Sequence, residues 1–116
     1  MFRRFLRAHI DRVTVTKIGH RPDGSLEIDA DLLEAAGILS DETILCCHVS
    51  TGEQFLASVM RGPRGNRGIV LNGPLTRRGA RGDSLMIFRY DYIREGTGPV
   101  KAPSRIRLDS DNRVIA

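Results

Sequence analysis

Short runs of strand-forming residues, separated by turn residues, constrain the fold of this chain more than any other feature. Glycine, proline, asparagine and aspartate interrupt the chain between these runs. The predicted strands cover residues 1–18, 25–28, 42–49, 54–60, 69–71 and 85–92. Since 116 residues without an internal repeat make one domain, and closure removes unpaired sheet edges, we predict a mainly β fold, a small closed barrel.

One helix is predicted, over residues 29–37. Asp29 is a suitable N-cap, good helix formers follow it, and Gly37 is a suitable C-terminal residue. At about two turns the helix needs tertiary packing to be stable. We assign residues 1–95 to the barrel and expect residues 96–116, rich in glycine, proline and charge, to form a C-terminal tail. This tail is expected to be mobile or, through a weak strand at Ile106 and Leu108, packed at an edge.

The basic composition permits a nucleic-acid partner but does not favour one. The net charge is +4 and almost all the basic residues are arginines. Two Gly-Arg loops would offer contacts to phosphates, at Arg61, Arg64 and Arg67 and at Arg77, Arg78 and Arg81. The sequence has no recognition helix and few aromatic residues for stacking. We therefore expect a solvated basic surface and no nucleic-acid partner.

Membrane and metal partners are not expected either. The N-terminus is charged throughout, and no apolar run approaches the length of a membrane span. Cys46 and Cys47 are adjacent, so they point to opposite faces of a strand and lack the spacing of metal ligands. These features predict a soluble cytoplasmic protein with reduced thiols and no metal.

The dipeptide Gly24-Ser25 is the only Gly-Ser in the chain and lies in a turn, residues 21–25, between two predicted strands. Such a peptide bond can rearrange and convert the serine into a reactive ketone, an electrophile that no encoded side chain provides. Alone, however, an Asp-Gly turn is ordinary hairpin chemistry. The neighbouring segments therefore decide how it is interpreted.

Several segments together resemble bacterial aspartate 1-decarboxylase, a family of pyruvoyl-dependent enzymes that make β-alanine for pantothenate. They occur in the family's order without gaps through about residue 90, whereas the C-terminal fifth matches poorly. The matching segments are Arg12-Val13-x-Val15-Thr16, Gly24-Ser25, Ile28-Asp29-x-Asp31-Leu32-Leu33-x-Ala35-Ala36-Gly37-Ile38-Leu39, Glu42, Val49-x-x-Gly52, Asn72-Gly73 and Gly82-Asp83.

The resemblance implies a double-psi β-barrel and a homotetramer with active sites between subunits. It also implies cleavage between Gly24 and Ser25, which turns Ser25 into a pyruvoyl group, the cofactor of the family. The ketone condenses with the amine of a small amino-acid substrate and accepts electrons as CO₂ leaves. By the same resemblance, Asn72 orients the adduct, and Gly73 and Pro74 line the substrate site.

Four positions depart from the family in ways that affect chemistry. Gln54 replaces an arginine that holds the substrate carboxylate, and Ser58 replaces a tyrosine that donates a proton. Ala57 replaces a threonine that assists maturation, so that hydrogen-bond donor is lost. His9 replaces an active-site lysine, and its ordinary pKa near neutrality makes it a candidate substrate contact and proton donor. A fifth replacement precedes the cleavage site, where Pro22 stands in place of a tyrosine.

These departures leave three hypotheses. The first is a pyruvoyl-dependent α-decarboxylase for an amino acid larger or more neutral than aspartate, matured alone or by a helper protein. The second is an aspartate decarboxylase in which Arg3, Arg7 or Arg61 supplies the missing charge. The third is an unprocessed, non-catalytic barrel that acts as a binding or assembly protein.

Overall fold

The computed structural model describes residues 1–97 and 101–115, and its strands form one eight-stranded sheet. The strand order is β2-β6-β3-β5-β4-β7-β1-β8. The strands are β1 (Phe2–Thr14), β2 (Lys17–Gly19), β3 (Leu26–Asp29), β4 (Thr43–His48), β5 (Gln54–Gly62), β6 (Ile69–Asn72), β7 (Ser84–Arg94) and β8 (Ser104–Ile106). The helix α1 spans Ala30–Ala36, and a 3₁₀ helix spans Gly73–Arg77.

The sheet mixes parallel and antiparallel neighbours, so the chain crosses over between its strands. β3 lies between β6, to which it is antiparallel, and β5, to which it is parallel. The two longest strands, β1 and β7, pair in antiparallel fashion with two register shifts. All four residues of β6 are buried, and the core is almost entirely aliphatic. β3 and β6 therefore form a rigid support for the residues at their ends.

The first predicted strand is divided in the structure. β1 ends at Thr14, and β2 begins at Lys17. Between them the backbone amide of Val15 donates to the carbonyl of Asp83, and that of Thr16 donates to the carbonyl of Ile69. The chain changes partners there, so the prediction of one continuous strand over residues 1–18 was wrong.

The predicted helix is confirmed, together with both of its caps. The Asp29 side chain accepts a hydrogen bond from the backbone amide of Asp31 at 2.8 Å. Gly37 ends the helix in the left-handed conformation, with φ of 68°. The buried side of α1 consists of small and aliphatic side chains that join the barrel core. Within the described residues, no helix is both long enough and apolar enough to cross a membrane.

The described part of the C-terminal segment lies against the barrel. β8 pairs in parallel with β1, and the side chains of Ile106 and Leu108 are buried. The buried amide of Asn112 accepts from the backbone of Thr14 and donates to the carbonyls of Thr14 and Arg67. Of the predicted tail, residues 98–100 and 116 lie outside the described residues.

Candidate functional site

Ser25 is held in the barrel wall, immediately before β3. Its side chain is buried, with the residue only 4% exposed. The backbone carbonyl of Ser25 accepts a hydrogen bond of 3.1 Å from the amide of Asn72, at the end of β6. The next residue, Leu26, pairs with Leu71 on one side and with Val59 on the other. Ser25 is thus anchored between two neighbouring strands although it belongs to a turn.

The Ser25 hydroxyl makes only weak hydrogen bonds. The side-chain amide Nδ2 of Asn72, itself only 1% exposed, donates to Ser25 Oγ at 3.3 Å. The thioether sulfur of Met60 lies 4.0 Å from the same oxygen, and sulfur is a weak acceptor. The backbone amide of Ser25 donates to Oδ1 of Asp23 at 3.0 Å. The hydroxyl is therefore oriented while its proton stays available for transfer.

Two glycines permit a close backbone approach at this turn. Gly24 has φ of 69° and Gly73 has φ of 55°, in the region that favours glycine. A Cβ on Gly73 would lie 2.8 Å from the carbonyl oxygen of Arg21 and 3.2 Å from the nitrogen of Gly24. A Cβ on Gly24 would lie 3.3 Å from Cδ of Pro74. We call Gly24, Ser25, Asn72, Gly73 and Pro74 the Ser25 cluster.

Sequence reasoning missed Gly19, which makes room for Asn72. The two residues are paired between β2 and β6. A Cβ on Gly19 would lie 2.0 Å from Oδ1 of Asn72, closer than any side chain could tolerate. A lone glycine within a strand pattern is the signal that could have pointed to such a close approach.

Gln54 and Ser58 project outward from β5, away from the core. Residues of β5 alternate between exposed and buried, and Leu56 between them is 65% exposed. Ala57 instead points into the core and is buried. The structure therefore puts Gln54 and Ser58 on one face and Ala57 on the other.

His9 lies on the same outward side of the sheet. In register, His9 of β1 faces Phe88 of β7, Phe88 faces Leu45 of β4, and Leu45 faces Leu56 of β5. Directly opposed residues share a face of the sheet. We call the surface made by Gln54, Leu56, Ser58, Leu45, Phe88 and His9 the outer face.

The His9 ring is packed against an aromatic side chain and is partly dehydrated. It stacks on Phe88 with ring centroids 4.6 Å apart and an angle of 5° between the planes. Nε2 is buried and has no hydrogen-bond partner among the described residues. Burial lowers the pKa of His9, an effect that Asp11 opposes and Arg105 reinforces. The uncharged ring is therefore favoured at neutral pH.

The predicted site residues fall into two groups in a single chain. The sheet order places β5, β4 and β7 between β3, which follows Ser25, and β1, which carries His9. A groove of about 270 Å³ on the outer side of the sheet is lined by Thr43, Leu45, Leu56 and Tyr90, among others, and Ser25 is not part of its lining. The structure brings the Ser25 cluster together and leaves His9 several strands away, whereas Met60, two residues after Ser58 on the same side of β5, lies 4.0 Å from Ser25 Oγ.

The first Gly-Arg loop is neutralised by α1. Arg64 contacts the carboxylates of Asp31 and Glu34, and Arg61 lies 3.0 Å from Glu34. Hydrogen bonds from Arg64 and then Arg61 lower the pKa of Glu34 to about 2. These pairs reduce the charge that the loop offers to phosphates. Within residues 1–97 and 101–115, no group of three or more His, Cys, Asp and Glu side chains is placed to hold a metal ion.

Comparison with known proteins gives concordant results. The family model described as aspartate decarboxylase matches residues 1–115, so the similarity continues beyond residue 90, where the sequence motifs end. Aspartate 1-decarboxylase of Bordetella pertussis is 40% identical over 114 residues, covering 98% of this chain and 93% of that protein. The Leptothrix cholodnii aspartate 1-decarboxylase is 36% identical, covering 98% of this chain and 87% of that protein.

The fold has a counterpart among solved structures. A rationally designed double-psi β-barrel protein superposes with a TM-score of 0.52 at 14% identity, covering 66% of this chain and 96% of the designed chain. At this identity the likeness concerns the fold alone. It confirms the predicted double-psi β-barrel.

Proposed function

Since this chain belongs to the aspartate decarboxylase family, we propose that it is a pyruvoyl-dependent amino-acid α-decarboxylase that cleaves itself between Gly24 and Ser25. One observation carries the proposal. A buried serine hydroxyl, 3.3 Å from the amide of Asn72, follows a glycine in the left-handed conformation.

The residues around Ser25 fit a pyruvoyl group formed from that residue. Gly24 has no side chain to cover it, and the buried amide of Asn72 offers a hydrogen-bond donor beside it. The pyruvoyl ketone would supply the electrophile for the substrate amine and the electron sink for the loss of CO₂. Gly73 and Pro74 hold the turn in place, so that Ser25 is presented in a fixed orientation.

Self-processing begins with the Ser25 hydroxyl. Attack of Oγ on the carbonyl carbon of Gly24 exchanges the amide for an ester. Loss of the Cα proton and of the ester from Cβ then releases residues 1–24 as a carboxylate and leaves dehydroalanine, which water would hydrolyse to the pyruvoyl group and ammonia. Burial of Ser25 keeps competing water away from the acyl carbon. Because Gly24 has a left-handed backbone and no side chain, Oγ can approach its carbonyl carbon without a side-chain clash.

The substrate contacts come from the outer face of a neighbouring copy in a homotetramer, with the active sites between subunits. Gln54, Ser58 and His9 share this face with exposed apolar residues such as Leu56. An apolar surface of this kind is suited to burial against another chain. His9, whose pKa is lowered by burial, contacts the substrate as an uncharged ring.

The substrate side chain is neutral rather than anionic. Gln54 faces Cys47 across the sheet, and Cys47 faces Met86, so its direct cross-strand neighbours on this face are uncharged. A neutral amide cannot replace the paired hydrogen bonds and charge that arginine gives a carboxylate. Among the arginines considered as substitutes, Arg3 is paired with Glu95 and Arg61 with Glu34, whereas Arg7 donates to the backbone carbonyl of Lys101.

Denaturing mass spectrometry of the purified protein, before and after borohydride, tests the function. Two fragments split after Gly24, the larger one gaining mass on reduction, are expected. A single species of 12.9 kDa that survives heating and long incubation would overturn the proposal and favour an unprocessed binding or assembly protein.

The processed protein is then given single amino acids, including aspartate, and the release of CO₂ is measured. We expect turnover of a neutral amino acid to exceed that of aspartate. The double variant Gln54→Arg with Ser58→Tyr should raise aspartate turnover. Aspartate as the best substrate of the unaltered protein would contradict the proposed specificity while leaving the decarboxylase intact.

A further inference from the structure

We propose that Asp23 is a catalytic residue of self-processing, carrying the proton from the Ser25 hydroxyl to the Ser25 nitrogen. This inference rests on the proposed cleavage between Gly24 and Ser25. Asp23 belongs neither to the matching motifs nor to the predicted site residues.

The carboxylate touches an atom that must gain a proton. Oδ1 of Asp23 lies 3.0 Å from the backbone nitrogen of Ser25, which becomes a free amine when the amide is exchanged for an ester. Oγ belongs to the same residue, whose side chain is the first cause of the lowered pKa of Asp23. The carboxylate therefore lies beside the residue that holds both the donor and the acceptor of the transferred proton.

Neither hydrogen-bond partner of Ser25 Oγ is able to take up the hydroxyl proton, which leaves this role to Asp23. Asn72 Nδ2 donates to Oγ at 3.3 Å, so it occupies a lone pair and cannot take the hydroxyl proton. The sulfur of Met60, at 4.0 Å, is too weak a base. Ala57 has no polar group and points into the core. Asp23 is the carboxylate that contacts the residue carrying this hydroxyl.

The Asp23 side chain is an ionised carboxylate, which is the form that can accept a proton. Hydrogen bonds from the side chain and then the backbone amide of Ser25 hold its pKa below the ordinary value. Among the described residues, the charged group facing it is Arg21, whose Nε lies 3.4 Å from Oδ2. The carboxylate is therefore ionised across the neutral pH range.

The step balances without any further reactant. A bond forms between Ser25 Oγ and the carbonyl carbon of Gly24, and the bond between that carbon and the Ser25 nitrogen breaks. The hydroxyl proton passes to Asp23 and from there to the departing nitrogen. Nothing is oxidised or reduced, because the amide and the ester are isomers.

The variant Asp23→Asn separates this role from a structural one. Asparagine still accepts the hydrogen bond from the Ser25 amide, so the turn is kept, but it cannot accept a proton. We expect cleavage, followed by mass spectrometry over time, to slow by about 100-fold. Glu27→Gln is the matched control, since it removes a carboxylate two residues beyond Ser25 and should cleave at the unaltered rate.

Two further readouts locate the step. Neutral hydroxylamine traps the ester by cutting after Gly24, and it should release residues 1–24 from the unaltered chain much faster than from Asp23→Asn. The cleavage rate of the unaltered chain should change little over the neutral range, whereas that of Asp23→Asn should rise with pH as hydroxide replaces the missing base.

The outcomes distinguish this inference from the proposed function. If the unaltered chain never cleaves, the proposed function fails, and the role of Asp23 fails with it. If the unaltered chain cleaves and Asp23→Asn, with an unchanged melting temperature, keeps the same rate, only the role of Asp23 is overturned. If Asp23→Asn unfolds, Asp23→Glu decides, because a retained carboxylate should cleave at least tenfold faster than Asp23→Ala.

Discussion

A polar residue is buried at each end of strand β3, but the two residues differ in the strength of their hydrogen bonds. Ser25 precedes the strand and is 4% exposed, and Asp29 ends it and is 1% exposed. The Ser25 hydroxyl has an amide donor at 3.3 Å and a sulfur at 4.0 Å. The Asp29 carboxylate accepts three backbone hydrogen bonds of 2.8 to 2.9 Å.

Asp29 is a structural anchor. Its carboxylate binds the amide of Asp31 at the start of α1 and the amides of Gly65 and Arg67 in the following loop. Burial by itself would raise the pKa of this carboxyl, but the backbone hydrogen bonds outweigh that effect and lower it. The group ties the helix and the Gly-Arg loop to the strand.

The contrast shows what separates a polar group that stabilises the fold from one that can react. A buried acceptor with all its hydrogen bonds made gains nothing by changing partners. A buried hydroxyl with weak partners has not been stabilised in its ground state to the same extent, so its proton can move. The following predictions test this distinction, from the largest effect to the smallest.

Ser25→Ala should abolish cleavage completely. The hydroxyl is the proposed nucleophile, and alanine leaves nothing to attack the Gly24 carbonyl. The variant should remain a single species by denaturing mass spectrometry while its melting temperature changes little, because the hydroxyl makes only weak bonds. Ser40→Ala, at an exposed position, is the control, and fragments from Ser25→Ala would refute the contrast.

Asp29→Ala should lower the free energy of unfolding by about 3 kcal/mol, because three buried backbone donors lose their acceptor. Urea unfolding measures the change. Asp29→Asn, which keeps an acceptor, should lose less. A loss below about 0.5 kcal/mol for Asp29→Ala would be typical of an ordinary surface position and would contradict the anchoring role.

Gly73→Ala should lower the free energy of unfolding by about 1–2 kcal/mol, because alanine is strained in the left-handed conformation of residue 73. It should also slow cleavage, because the added Cβ would push against Arg21 and Gly24. Gly52→Ala is a matched control, since its φ is also positive, at 73°, and nothing lies within 4 Å of the added Cβ. Equal cleavage rates in the two variants would show that the close approach is unimportant.

Lowering the pH should reduce the stability of the unaltered protein more than it reduces the stability of the Asp29→Asn variant. The folded-state pKa of Asp29 lies below the ordinary value of 3.8, so its contribution is present above that value and is lost as pH falls through the folded-state pKa. Melting temperatures recorded from neutral pH to about pH 2 provide the measurement. Parallel curves for the two proteins would contradict the sign of this linkage.

The fold and the Gly24-Ser25 turn were predictable because their signals are local. Alternating apolar residues define β5, and the caps at Asp29 and Gly37 define α1 within a few positions along the chain. The strand division after Thr14 was not predictable, because it depends on hydrogen bonds to Asp83 and Ile69, which are distant in sequence. The candidate site was predictable only as a set of residue types, drawn from a resemblance.

The sequence by itself determined a small β-rich barrel, one capped helix and a single Gly-Ser turn, since propensities and periodicity act over short distances. Only the tertiary structure decided which groups meet Ser25. Asn72 reaches it from a strand 47 residues away, and Gly19 leaves the space that Asn72 occupies. Hydrogen bonds and steric exclusion act only over a few ångströms. The crossovers between strands bring these atoms that close together, and the local sequence pattern does not specify them.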